Sequence, residues 1–185
     1  PWNGSVTYTV EPEKAGAEFT LAVRYPGWCH QMQVKVNGIP VSGAVKTDKG
    51  YWMIQRSWQP GDTVSCEMEM EPERVYAHPM VRADAGCVAL RRGPIIYTFE
   101  GVDNGEDLQT LRIPREAKIE ALPYQADLLE GIVALRVTGC RKKAAVNLAL
   151  YAEDAAPEEV VTLQAIPYYA WCNRGMTHMR VWMQE

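Results

Sequence analysis

Apolar and polar residues alternate along most of the chain. Residues Ser5–Val10 read Ser-Val-Thr-Tyr-Thr-Val, which puts Val6, Tyr8 and Val10 on one face and Ser5, Thr7 and Thr9 on the other. A period of two predicts a half-buried strand. Phe19, Leu21, Val23 and Tyr25 repeat the pattern until Pro26-Gly27 ends it, and Met32, Val34 and Val36 then alternate with Gln31, Gln33 and Lys35. Asn37-Gly38 follows at once. Both residue types accept positive φ, so the pair predicts a tight hairpin. The returning strand is expected over 39–41, at a sheet edge or strand start because Pro40 has no amide hydrogen to donate. Tyr51-Trp52-Met53-Ile54 predicts a further strand, and Gln59-Pro60-Gly61-Asp62 a turn. Val64, Cys66, Met68 and Met70 then face one way and Ser65, Glu67, Glu69 and Glu71 the other, so these acids read as a solvated face rather than a catalytic cluster.

After Pro72 the pattern loosens through Arg74-Val75-Tyr76-Ala77-His78-Pro79. Strands are expected over 87–90 and 95–99, around the turn Arg91-Arg92-Gly93-Pro94. Alternation returns at Val133, Leu135 and Val137, at Val146, Leu148 and Leu150, at Val161, Leu163 and Ala165, and over 180–183. Segments 116–122 and 126–129 could each hold a helical turn, though both are shorter than the ~12 residues that identify a helix by period. Many short strands separated by turn residues, without βαβ alternation, predict an all-β protein. The expected fold is two consecutive antiparallel β-sandwich (jelly-roll-like) domains, residues 1–79 and 80–185, with the boundary in the loosened stretch at 79–85. No repeat of 20–50 residues points to a propeller or solenoid.

Composition narrows the function classes. The 185 residues allow one large domain or two small ones and fall short of the ~250 that a catalytic TIM barrel needs. Nineteen basic residues stand against 23 acidic ones, and the longest basic run is Arg141-Lys142-Lys143. Neither a nucleic-acid partner nor a polybasic membrane surface is expected. No apolar stretch approaches the ~18 residues of a membrane span. Pro1-Trp2-Asn3-Gly4 has no start Met and no signal-peptide pattern, and reads as the start of a piece of something longer. The cysteines Cys29, Cys66, Cys87, Cys140 and Cys172 are odd in number and widely spaced, so neither a disulfide framework nor a zinc cluster is expected, and a reducing compartment fits. His30, His78 and His178 are equally scattered, and no nucleophile elbow, P-loop or dinucleotide fingerprint appears.

Six Trp against two Phe is a skew toward side chains with a flat apolar face and a polar handle, common at interfaces and on sugar-stacking platforms. The densest aromatic cluster is Tyr168-Tyr169-Ala170-Trp171, followed by Asn173-Arg174-Gly175. It reads either as a corner packed on the core or a neighbouring domain, or as a sugar platform. Trp28, at a strand end, carries the same two readings.

Arg24-Tyr25-Pro26-Gly27-Trp28, Val34-Lys35-Val36-Asn37-Gly38 and Trp58-Gln59-Pro60-Gly61-Asp62-Thr63-Val64 resemble the segment that follows the catalytic domain in the β-L-arabinofuranosidases of glycoside hydrolase family 127. The resemblance continues through Arg74-Val75-Tyr76-Ala77-His78-Pro79, Ala89-Leu90-Arg91-Arg92-Gly93-Pro94 and residues 165–175, so it spans nearly the whole chain in order. It implies a parent enzyme in which an α-helical barrel precedes two β-sandwich domains. It further implies release of L-arabinofuranose with retention, by a zinc-held cysteine thiolate as nucleophile and a glutamate as acid/base. The family's adjacent Cys-Cys signature is missing from this sequence, so no residue here is assigned a catalytic or metal role, Cys172 included. The chain is therefore expected to be a non-catalytic C-terminal accessory region, with zinc confined to the missing catalytic domain. A carbohydrate-binding module using Trp and Tyr platforms is the alternative. Expected partners are the N-terminal catalytic barrel of the same chain, carbohydrate, and a second copy in a homodimer. The candidate docking or sugar-contact residues are Tyr76, His78, Tyr168, Tyr169, Trp171, Asn173 and Arg174.

Overall fold

The structure, a computed structural model, describes residues 2–41, 45–46, 49–143, 151 and 153–185. Backbone proximity divides it into two units, residues 3–70 and residues 71–185 together with Trp2.

In the first unit the strands are β1 (Ser5–Val10), β2 (Ala17–Arg24), β3 (Met32–Val36), β4 (Ile39–Pro40), β5 (Val45–Lys46), β6 (Tyr51–Trp58) and β7 (Asp62–Met68). They form two antiparallel sheets, ordered β1-β7-β3-β4 and β2-β6-β5. Met32, Val34, Val36, Val64 and Cys66 from one sheet meet Val23, Ile54 and Trp58 from the other in a single core, which makes the unit a β-sandwich. Trp58 is fully buried, and its indole Nε1 donates to the Phe19 carbonyl at 3.0 Å. The Asn37-Gly38 hairpin forms as its sequence requires: φ is 50° at Asn37 and 77° at Gly38, and Val36 pairs with Ile39. The Asn37 side chain also reaches the next turn, donating to Asp62 Oδ1 at 2.8 Å, while the Gln59 amide donates to Asp62 Oδ2 at 2.9 Å. These hydrogen bonds, the Gln59 amide foremost, hold the Asp62 carboxyl below the usual carboxylate range. One face departs from expectation. Of Val6, Tyr8 and Val10 only Val10 is buried, because β1 is the edge strand of its sheet.

The second unit holds β8 (Pro72–Val75), β9 (Cys87–Arg92), β10 (Ile95–Glu100), β11 (Leu111–Arg112), β12 (Ile119–Ala121), β13 (Leu135–Lys142), β14 (Glu158–Pro167), β15 (Met179–Arg180) and β16 (Met183–Gln184), with a short α-helix, α1 (Gly101–Asn104), and 3-10 turns at Arg82–Asp84, Leu108–Thr110 and Tyr168–Ala170. Pairing runs from β9 through β10, β14, β13, β11 and β16 back to β9, so the layers of this sandwich are joined at their edges. The join is possible because β9 changes partner along one edge: Val88 pairs with β16, and Arg91 and Arg92 pair with β10. All these pairs are antiparallel except β11 with β16. Val88, Leu90, Tyr97, Phe99, Leu111, Leu135, Val137, Leu163 and Met183 from these strands build the core. The all-β, double-sandwich architecture expected from the alternation is thus present.

The division between units falls between Met70 and Glu71, ahead of the 79/80 boundary read from the sequence. Pro72–Val75 pairs with β9, and Arg74 Nη2 donates to the carbonyls of Pro114 at 2.8 Å and Ala117 at 3.0 Å, which ties this stretch to the second unit. Neither segment considered for a helical turn is one. Residues 119–121 are β12, paired with β13, and residues 126–129 lie in a turn bounded by the Gln125–Ile132 bridge. Val146, Leu148 and Leu150 lie outside the described residues.

Tyr97 gives the second unit an alkaline limit. Its ring is fully buried, its hydroxyl donates to the Val133 carbonyl at 2.8 Å, and burial pushes the phenol up to about 12. Because the folded pKa lies above the unfolded value of 10.0, the contribution is complete below pH 10 and is lost as pH rises through about 12. Thermal melts followed by circular dichroism should fall more steeply over this window in the native chain than in Tyr97→Phe. Equal slopes would remove Tyr97 as the cause.

Candidate functional site

The structure distributes the sequence candidates over three concavities of the second unit. Tyr76 and His78 border a cavity of about 320 Å³ that also touches Asp84, Cys87, Arg115 and Glu185. The Tyr76 hydroxyl donates to Glu185 Oε1 at 2.7 Å, and Arg115 binds Oε2 through Nε at 2.9 Å and Nη2 at 2.6 Å. These donors hold the Glu185 carboxyl below its ordinary range, and the same carboxylate raises the Tyr76 phenol. His78 Nδ1 accepts the Met80 amide at 3.2 Å. A second concavity, about 590 Å³, places Tyr168 beside Ile96, Met179, Arg180 and Trp182. Trp171, 38% exposed, borders none of the three.

Tyr169, Asn173 and Arg174 converge on the third, a cavity of about 670 Å³ whose opposite wall is Asp127, Leu128, Leu129 and Glu130. The first wall follows β14. Pro167 ends that strand, a 3-10 turn covers Tyr168–Ala170, and Ala170 is buried against Ile132, Ala134 and Ile166. Beyond it the loop is clamped from β10 and α1. Glu100, with no exposed surface, accepts the Cys172 amide on Oε1 at 2.7 Å and takes Arg174 on Oε2. Arg174 Nη1 also donates to Asp103 Oδ1 at 2.8 Å, and Nη2 to Asp103 Oδ2. Hydrogen bonds to Asp103 and then Glu100 raise the Arg174 pKa, so the guanidinium stays charged. Asn104 secures α1: its side-chain amide donates to the carbonyls of Glu100 at 2.9 Å and Gln164 at 2.8 Å, while its Oδ1 accepts the Gln164 amide at 2.9 Å.

The second wall is the loop over 125–132. Leu128 and Leu129 pack on the small core beneath Ala170, so both walls share one foundation. Gly131, at φ 102°, sits under Tyr124, and a Cβ there would lie 1.8 Å from the Tyr124 hydroxyl. Tyr124 in turn contacts Trp2 at 6.3 Å between ring centres, and the Trp2 carbonyl accepts Arg92 Nη2 at 3.0 Å.

Sequence reasoning named Tyr169, Asn173 and Arg174 but none of Asp127, Leu128, Leu129 and Glu130, which are remote in the chain and sit in a turn without a motif. Glu100 did carry a signal, as the acid that follows the mainly apolar run Ile-Ile-Tyr-Thr-Phe over 95–99. Arg174 pairs with two carboxylates through Nη1 and Nη2, leaves its buried Nε without a hydrogen-bond partner, and serves as a brace. Among the described residues no three His, Cys, Asp or Glu stand close enough to hold a metal ion, and no helix is long and apolar enough to cross a membrane. The five cysteines are thiols, not disulfides.

Two β-sandwich units in tandem define a two-domain, all-β protein. Comparison with known proteins gives the family. Residues 1–70 match the beta-L-arabinofuranosidase GH127 middle domain, and residues 72–184 match the glycoside hydrolase family 127 C-terminal domain. The chain belongs to glycoside hydrolase family 127. It is 34% identical, over its whole length, to a non-reducing end beta-L-arabinofuranosidase of Bifidobacterium longum subsp. longum, and spans 29% of that protein. It superimposes with a TM-score of 0.94 on a GH127 beta-L-arabinofuranosidase from Geobacillus stearothermophilus T6, at 48% identity, covering 100% of this chain and 29% of that one. A second solved GH127 beta-arabinofuranosidase matches at TM-score 0.84 and 31% identity, again over 100% of this chain and 30% of that chain. The two family matches part next to the division between the structural units.

Proposed function

We propose that the chain forms the non-catalytic β-domains of a β-L-arabinofuranosidase-type enzyme whose chemistry resides in a preceding helical barrel. The observation that carries this reading is the pair of family matches: residues 1–70 and 72–184 are accounted for by domains described as middle and C-terminal, and the chain spans 29% of the length of its curated relative. In this reading the barrel supplies the zinc-held cysteine thiolate and the glutamate. A bound metal lowers a thiol's pKa and holds it as the nucleophilic thiolate. The β-domains supply a support for the barrel. The exposed apolar side chains of Tyr76, Met80 and Val81, next to His78, form a surface suited to such a contact.

The test is hydrolysis of a nitrophenyl β-L-arabinofuranoside. The 185-residue chain should give no turnover above background, whereas the product of the complete reading frame should release nitrophenol. Turnover by the 185-residue chain that disappears when its cysteines are replaced by serine would overturn the reading.

A further inference from the structure

We propose that the cavity between Tyr169 and the 125–132 loop binds a neutral sugar of one or two rings. This goes beyond the accessory role above and does not depend on it. The volume, about 670 Å³, lies within the roughly 300–1,000 Å³ typical of small-molecule sites. The lining is mixed in the way a sugar requires. Tyr169 offers an aromatic face and is 62% exposed, and Leu128 and Leu129 add partly buried aliphatic surface. A sugar ring has an apolar C–H face that lies flat on such a platform, and hydroxyls around its edge that need acceptors. Asp127 and Glu130 provide carboxylates on one rim. On the other, Asn173 turns its Nδ2 back to the Ala170 carbonyl at 3.0 Å, which leaves Oδ1 to accept.

The same lining selects against other ligands. Arg174, the cation at the cavity, is already committed to Glu100 and Asp103, so a phosphate or other anion would meet the Asp127 and Glu130 carboxylates without a free counter-charge. Two carboxylates are too few for a metal, and no metal-holding group occurs among the described residues. A purely apolar ligand would bury polar atoms of Asn173 and the acids without partners.

The cavity is also held in shape before any ligand arrives. Leu129, Glu130 and Gly131 take φ values of 51°, 62° and 102° in succession, and Cys172 on the facing wall takes 64°. Non-glycine residues stay in this region only where their surroundings dictate it, and such residues cluster at ligand sites. Here the dictating contacts are the Glu100–Cys172 and Glu100–Arg174 hydrogen bonds on one side and Tyr124 over Gly131 on the other. A preformed cavity needs little ordering on binding.

The experiment is a ¹H–¹⁵N NMR titration of the 185-residue chain with L-arabinose and with D-galactose, and with choline and sodium phosphate as cationic and anionic probes. Expected are saturable shifts from a sugar in the ~millimolar range, confined to residues 125–132 and 168–175. Tyr169→Ala should weaken binding at least about tenfold, while Tyr168→Ala, in the neighbouring cavity, should leave it unchanged. If Tyr169→Ala alters the fold, Asp127→Asn should show the same weakening with the native melting curve. The proposal is overturned if neither sugar gives saturable shifts up to ~50 mM, if the shifts survive both Tyr169→Ala and Asp127→Asn, or if choline or phosphate binds there in preference.

Discussion

Arg174→Met is expected to destabilise the second unit by about 3–5 kcal/mol, the usual consequence of removing one partner from a buried ion pair. The reason is the partner left behind. Glu100 has no exposed surface, and without Arg174 its Oε2 faces no cation, with only the Cys172 amide on Oε1. Asp103 loses the same guanidinium. Since 1 kcal/mol moves the melting temperature of a domain this size by several degrees, the midpoint should fall by at least about 10 °C. Adding Glu100→Gln to Arg174→Met removes the stranded charge and should recover part of the loss. Melting curves of the two variants decide the matter. A single variant that melts within about 2 °C of the native chain, or a double variant no better than the single, would show that the pair is not the brace described.

Trp58→Ala should have a comparable effect on the first unit, about 3–5 kcal/mol for an aromatic removed from a closed core. Trp58 is wholly buried, its ring stacks on Phe19 at 5.7 Å, Arg56 lies over it at 5.2 Å, and its indole nitrogen satisfies the Phe19 carbonyl. The alanine variant therefore leaves both a void and an acceptor without its donor. Trp58→Phe keeps most of the volume but not the hydrogen bond, and should fall between the two. Urea denaturation reads the result as a lowered midpoint at unchanged slope. A midpoint for Trp58→Ala equal to that of Trp58→Phe would mean that the lost volume carries no penalty.

These two residues also show which parts of the site could be read in advance. Trp58 lies four residues beyond the strand read over 51–54, and its burial on the same face as Ile54 follows only because β6 runs on to Trp58, where strand alternation returns the side chain inward. Arg174 was visible only as a polar residue next to aromatics. That it turns inward depends on Glu100 and Asp103, 74 and 71 residues away, and no local pattern announces a partner at that distance. The same limit applies to the aromatic cluster. Tyr168, Tyr169 and Trp171 are near neighbours in sequence, yet the 3-10 turn sends Tyr168 and Tyr169 to different cavities and Trp171 to neither. A helical turn splays consecutive side chains around its axis. Composition can therefore nominate such a cluster but cannot assign it one surface.

The all-β class, most strand positions, the Asn37-Gly38 hairpin and the family are legible from the amino-acid order, because each rests on local periodicity, local turn chemistry or an ordered set of motifs. The folded structure settles how Pro72–Val75 joins the second unit, how the strands of that unit close upon themselves, and which residues face each other across the Tyr169 cavity. Those outcomes depend on pairings between distant segments: Pro72–Val75 with β9, β16 with β9 and β11, and the 125–132 loop with the end of β14. Their energies come from burial and hydrogen bonds that exist only once the chain has folded, and the residues that supply them look unremarked in the sequence.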